Sequence, residues 1–164
     1  MLSFFKKMDM NEEDGGVVQR VNTNAPKIIE SKQIIIFECK FSTLAFLDLD
    51  EEIGNRVYIL EARLENEFVN GRYRQRSRFE NNVDVTFKAE QSFMECLQRI
   101  IEEHNLAKNN GVCVKVNGLP DMYGAKLLVD YASGERIYTS NNQDNFLSVN
   151  VMKAMLSLFR KQLS

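Results

Sequence analysis

Asn70-Gly71 stands between two runs of alternating side chains, and no other pair of residues constrains the fold as much. Upstream, "RVYILEARLEN" (56–66) puts Tyr58, Leu60, Ala62 and Leu64 on one face of an extended strand. Downstream, "NGRYRQRSRF" (70–79) places an arginine at every second position: Arg72, Arg74, Arg76 and Arg78. Asn-Gly is a strong hairpin signal because both central residues of a type I′ turn take positive φ. The pair therefore predicts a tight hairpin with Val69 opposite Arg72. In that register Glu67 faces Arg74, Glu65 faces Arg76, Phe68 faces Tyr73 and Ala62 faces Phe79. Two of the four arginines then meet carboxylates, each pair contributing about 0.2–1 kcal/mol. Arg78 would face Arg63, and Arg72 has no carboxylate opposite. A basic strand laid against an acidic one reads as a solvated face, mostly neutralised.

The charge balance agrees. Twenty-one basic and 23 acidic residues leave a formal charge of -2, so no bulk attraction for a polyanion exists, and nucleic acid is not expected as a partner. An apolar content of 44% suffices for a core in a chain of 164 residues. One α+β domain is expected over 33–164, preceded by a flexible lead-in over 1–32. That lead-in includes "DMNEEDGGVVQRVNTNAPK" (9–27), rich in acids, asparagines and glycines. Cys39, Cys96 and Cys113 are widely spaced, which argues against a disulfide framework and against a zinc site. "MLSFFKKM" lacks the pattern of a secretory signal and no run is long enough to span a membrane, so a cytoplasmic location is expected.

Further along, "QIIIFECKFS" (33–42) alternates as a half-buried strand, with Ile35, Phe37, Cys39 and Phe41 together, and "NNVDVTFK" (81–88) groups Val83, Val85 and Phe87. A helix is predicted over about 92–108. Ser92 and Glu95 form a capping box, and Phe93, Leu97, Ile100, Ile101 and His104 follow helical spacing. "GVCVKVNGLP" (111–120) supplies a strand. "AKLLVDYASGERIYTS" (125–140) supplies a hairpin turning at Ser133-Gly134, with Ala132 opposite Glu135, Tyr131 opposite Arg136 and Val129 opposite Tyr138. A last helix over about 149–163 carries Met152, Met155, Leu156, Phe159 and Leu163 as one stripe. The expected architecture is an antiparallel sheet built from hairpins, with two amphipathic helices packed on one face.

Reactive chemistry is sparse. His104 is the only histidine, at the end of its helix, and Cys96 lies near the start of the same helix; an enzyme of unusual type would have to use one of them. The acid cluster Asp48, Asp50, Glu51 and Glu52 fails as a calcium loop, because the twelfth position counted from Asp48 is Ile59. No phosphate loop, dinucleotide fingerprint or nucleophile elbow is present, so neither a cofactor nor a metal is expected. The leading expectation is a non-enzymatic domain that binds a protein or a small ligand. Its candidate residues are Arg72 and Arg78 on the first hairpin, and a rim of Tyr131, Tyr138, Ser140, Asn141 and Asn142. Weak nucleic-acid binding through the arginine hairpin ranks third. An aromatic side chain left exposed beside the arginines, Tyr73 or Phe79, would mark an interaction surface.

"IIEEHNLAKNNG", "GLPDMYG" and "YASGERIYTSNNQDNF", followed by the terminal helix, together resemble small uncharacterised α+β domains of gut-type Firmicutes, over about residues 90–162. The shared motifs are turns rather than reactive groups. The resemblance implies a bacterial setting and brings no activity with it.

Overall fold

The computed structural model describes residues 5–10, 16–120 and 122–163. Its strands are β1 (Phe5–Met10), β2 (Val17–Asn22), β3 (Ile34–Ser42), β4 (Val57–Glu65), β5 (Phe68–Arg76), β6 (Val83–Glu90), β7 (Val112–Val116), β8 (Ala125–Tyr131) and β9 (Arg136–Asn141). Helix α1 (Ser92–Glu103) follows β6, and α2 (Val149–Arg160) follows β9. Among the described residues the strands form one sheet in the order β1-β2-β7-β9-β8-β3-β4-β5-β6. The fold is α+β, but the sheet is mixed rather than purely antiparallel: β7 and β9 run parallel. Chain order explains this. The chain leaves β7, passes over one strand position, returns as β8, and the β8–β9 hairpin then fills the gap. The sheet also begins before residue 33, since β2 lies inside the segment read from sequence as a lead-in and pairs with β7.

The first predicted hairpin turns four residues early. β4 and β5 join through Asn66-Glu67, with Glu65 opposite Phe68 and Asn66 at φ 57°. Asparagine tolerates that left-handed backbone better than most residues. Asn70 and Gly71 are interior to β5, and Gly71 has no positive φ. Packing decides the register. The observed pairing sets Leu60 against Tyr73, Ala62 against Gly71 and Leu64 against Val69. A turn at Asn70-Gly71 would instead set Leu60 against Asn81 and Leu64 against Ser77. Gly71 is needed for a different reason: a Cβ there would come within 2.1 Å of the Phe87 ring on β6, its cross-strand partner.

Phe37, Ala62, Gly71 and Phe87 form one transverse row on the inner face. Both helices land on it. Phe93 of α1 and Phe159 of α2 meet Phe87 edge-on, at centroid distances of 5.4 and 5.7 Å, and Phe159 also touches Phe37 at 6.1 Å. Arg160, at the end of α2, donates to the hydroxyls of Tyr73 (3.1 Å) and Tyr58 (3.2 Å) and to the Glu52 carbonyl (2.8 Å), so it ties the helix to the sheet.

Smaller corrections follow the same logic. Helix α1 is capped by Gln91 without a side-chain bond, so Ser92 and Glu95 form no capping box. It stops at Glu103, Asn105 takes φ 47°, and a short 3₁₀ turn covers Leu106–Asn109. In the second hairpin Val129 faces Ile137 and Asp130 faces Arg136, one residue off the sequence expectation. Gly134 at φ 88° absorbs the extra residue, and the shift keeps Val129 and Ile137 together in the core while Tyr138 points to the other face.

Candidate functional site

Among the described residues no helix covers the face of the sheet opposite α1 and α2. Strand alternation sends Glu38 and Lys40 of β3, Ile59 and Glu61 of β4, Arg72 and Arg74 of β5, Lys126 and Leu128 of β8, and Tyr138 and Ser140 of β9 to this side. Two zones differ in charge. Over β3–β6, a groove of about 650 Å³ is lined by both signs, including Glu38, Glu61, Arg63, Arg72 and Lys88. Over β2, β7, β9 and β8, adjoining grooves of about 500 and 250 Å³ share Lys115, Tyr138 and Ser140 and carry no carboxylate in their lining.

The arginine stripe is neutralised, though not by the expected acids. Arg72 makes a two-pronged ion pair with Asp84 on β6, at 2.9 and 2.8 Å, and Arg74 meets Glu61 at 3.1 Å. The carboxylate beside it raises the Arg72 guanidinium above its ordinary value, and the same pair holds the Asp84 carboxyl below its own. Arg72 is therefore not the unpaired cation the sequence suggested. Arg78 lies in the β5–β6 turn and lines a groove of about 340 Å³ with Lys40, Arg76 and Met122. Beside it, Phe79 is 94% exposed, whereas Tyr73 is buried on the inner face.

The rim separates residue by residue. Tyr131 is buried against the helices, and burial pushes its hydroxyl well above the usual tyrosine range, so it does not line the site. Asn142 accepts from the Val116 amide (2.8 Å) and donates to the Val116 carbonyl (3.0 Å), extending the parallel β7–β9 ladder with its side chain. The Asn141 side-chain oxygen Oδ1 accepts from the backbone amides of Gln143 and Asp144. Both line the 250 Å³ groove, but their amides serve the backbone. Tyr138 and Ser140 remain, with their side chains facing the groove.

Sequence reasoning missed the partners of these two. Lys126 sits opposite Ser140 on one side and Lys40 on the other, its ammonium 5.7 Å from the Tyr138 ring centroid. Cys113 is opposite Ser140, and Arg20 is opposite Cys113. No local pattern marks this grouping, because of the four strand pairings that build it only β8–β9 is a hairpin, while β2–β7, β7–β9 and β3–β8 join segments distant in the sequence.

The catalytic candidates stay apart. His104 closes α1, and among the described residues neither it nor Cys96 makes a side-chain hydrogen bond, so no nucleophile–base pair forms. Among the described residues no three His, Cys, Asp or Glu side chains cluster as metal ligands, and Asp50 of the acidic loop pairs with Lys153. No helix among them is long and apolar enough to cross a membrane.

Cys39 is 1% exposed, and burial pushes its thiol up to about 12. An unfolded chain ionises this thiol near 9.0, while the native state keeps its proton. The contribution to stability is thus intact below that pH and is lost as pH rises toward 12. Stability is expected to fall by up to about 1.4 kcal/mol per pH unit in this window. Urea midpoints across it would show the decline, and Cys39→Ala should remove the part that sets in between pH 9 and 10, before the buried hydroxyls of Tyr73 and Tyr131 add their own. Fast native alkylation of Cys39 would contradict its placement.

No protein-family model matches the chain, and neither a curated protein nor a solved structure matches it.

Proposed function

We propose that the chain is a non-enzymatic binding domain that holds its ligand or partner on the sheet face opposite the helices. The observation that carries this reading is the contrast between the two faces. One is closed by α1 and α2 over an aromatic core. The other carries grooves of about 650, 500 and 250 Å³ across its central strands, lined by half-buried side chains such as Glu38, Lys40 and Tyr138. A wide pleated surface of this kind offers rigid side-chain positions without the mobility of loops.

The test is retention from a lysate on the immobilised protein, with small molecules and proteins both identified by mass spectrometry. A matched variant, Lys40→Glu with Arg72→Glu, reverses charge on the open face. Arg99→Glu, on the exposed side of α1, serves as control. A species retained by the wild type and by the Arg99 variant, and lost from the open-face variant, is expected. Equal retention by all three would overturn the reading.

A further inference from the structure

One transverse row crosses the open face. Arg20 on β2 is opposite Cys113 on β7, Cys113 opposite Ser140 on β9, Ser140 opposite Lys126 on β8, and Lys126 opposite Lys40 on β3. Lys115 lies two residues from Cys113 on the same face and lines both adjoining grooves. These linings contain Arg20, Lys40, Lys115 and Lys126 and no acidic residue. Among the described residues none of the four makes an ion pair. In a chain with a formal charge of -2, four uncompensated cations in one hollow are a local exception.

The pairing of Lys40 with Lys126 is the most informative part. Like charges directly opposite on neighbouring strands destabilise a sheet, and both residues sit on strands flanked on either side, β3 between β8 and β4, β8 between β9 and β3. A fold that keeps such a pair in its interior strands bears a cost that an anion lying between the two ammoniums would remove. Elsewhere on the same face the charges have partners: Arg72 is matched by Asp84, and the like-charge pair Glu38 opposite Glu61 is relieved by the ion pair of Glu61 with Arg74.

We propose, resting on the open-face reading above, that this hollow seats a small ligand bearing several phosphoryl groups. Lys40, Lys126, Lys115 and Arg20 would neutralise it, the Ser140 hydroxyl would donate to it, and Tyr138 would flank it. A single carboxylate would leave most of the four cations unanswered. Lysine ammoniums act as point charges on phosphate oxygens, whereas planar carboxylate recognition draws on paired arginine donors. The extent of the row argues against an extended strand of nucleic acid. From Lys7 on β1, which stands opposite Arg20, to Lys40 is five strand spacings, about 24 Å. Beyond Lys40 the row continues through Ile59 to Arg74, already held by Glu61, and ends at Asp84. Single-strand binders also stack successive bases on several aromatic side chains, and the two linings supply Tyr138 alone.

The experiment uses inorganic tripolyphosphate as probe on the full chain, with binding read by calorimetry at low ionic strength and native alkylation of the cysteines read by mass spectrometry. One-to-one binding is expected, with Cys113 protected by the probe and Cys96, on α1, reacting at an unchanged rate. Lys40→Gln with Lys126→Gln should weaken binding by roughly tenfold or more while leaving the thermal midpoint equal or higher, because it removes a repulsion. Arg99→Gln, on the exposed side of α1, should leave the affinity unchanged. The proposal is overturned if Cys113 is not protected, or if the double lysine variant binds as the wild type does. It is also overturned if a single-stranded oligonucleotide of about 20 nucleotides binds more tightly than tripolyphosphate and loses affinity in Arg74→Gln. Failure here alongside a species captured on the open face would discard only the ligand class; failure of both would discard the binding face itself.

Discussion

Gly71→Ala is expected to destabilise the protein by about 1–3 kcal/mol, the range for forcing an extra carbon into a packed core. The added Cβ would lie 2.1, 2.4 and 2.7 Å from three atoms of the Phe87 ring. Phe87 cannot simply swing away, because Phe93 and Phe159 hold it edge-on from the two helices. With roughly 2–4 °C of melting temperature per kcal/mol at this chain length, a thermal melt resolves the loss. A double-mutant cycle then assigns its cause. Phe87→Leu should cost less in the Gly71→Ala background than in the wild type, since a leucine side chain can turn aside from the new methyl. Additive costs would mean that Gly71 and Phe87 do not touch, and the β4–β5–β6 register would be wrong.

Asn110→Ala is expected to cost about 3 kcal/mol, through three hydrogen bonds rather than through lost packing. Asn110 is 2% exposed, and its side chain bonds only to backbone groups. Its amide nitrogen donates to the carbonyls of Pro26 (2.9 Å) and Arg136 (2.8 Å), and its oxygen accepts from the Tyr138 amide (2.8 Å). Truncation leaves one donor and two acceptors without a partner next to the core, and each such group costs about 1–3 kcal/mol. Two of the three belong to β9, the strand that carries Tyr138 and Ser140, so the same change should raise amide exchange along β9. A loss under about 0.5 kcal/mol, the range of a neutral surface change, would show that these bonds do not hold the strand.

Asn110 also shows where the sequence stopped being readable. Asn110-Gly111 reads as the stop of the first helix; α1 ends earlier, at Glu103, and it is the 3₁₀ turn that ends at Asn109. That Asn110 would bridge two distant segments is a property of the tertiary fold. Asn142 repeats the lesson: in a polar run it looks like an exposed rim, yet its amide imitates a strand residue against Val116. Strands over 34–42, 57–65, 83–90, 112–116 and 125–141 and both helices were legible, because alternation and helical spacing are local signals. The Asn70-Gly71 pair misled for a physical reason. Glycine earns a place in a turn through positive φ, but it also earns one in a strand where an aromatic ring must lie across the backbone.

The candidate site divides along the same line. Tyr131 shares its face with Leu127 and Val129, so alternation alone turns it inward, while the one-residue shift in the β8–β9 register carries Tyr138 and Ser140 to the groove side. Arg72 found Asp84 on a strand the sequence did not pair with it. Arg20, Lys40, Lys115 and Lys126 are isolated cations in the sequence, separated by 20, 75 and 11 positions, and only the long-range pairings β2–β7, β7–β9 and β3–β8, with the β8–β9 hairpin, align them.

The most direct test of the binding face is a residue-resolved NMR titration of the intact protein with tripolyphosphate at low salt. The shifts should concentrate at Arg20, Lys40, Cys113, Lys115, Lys126, Tyr138 and Ser140, with α1, α2 and the 77–82 turn unmoved. Shifts centred instead on Arg78 and Phe79, or spread over the helices, would contradict the assignment of the open face as the binding surface.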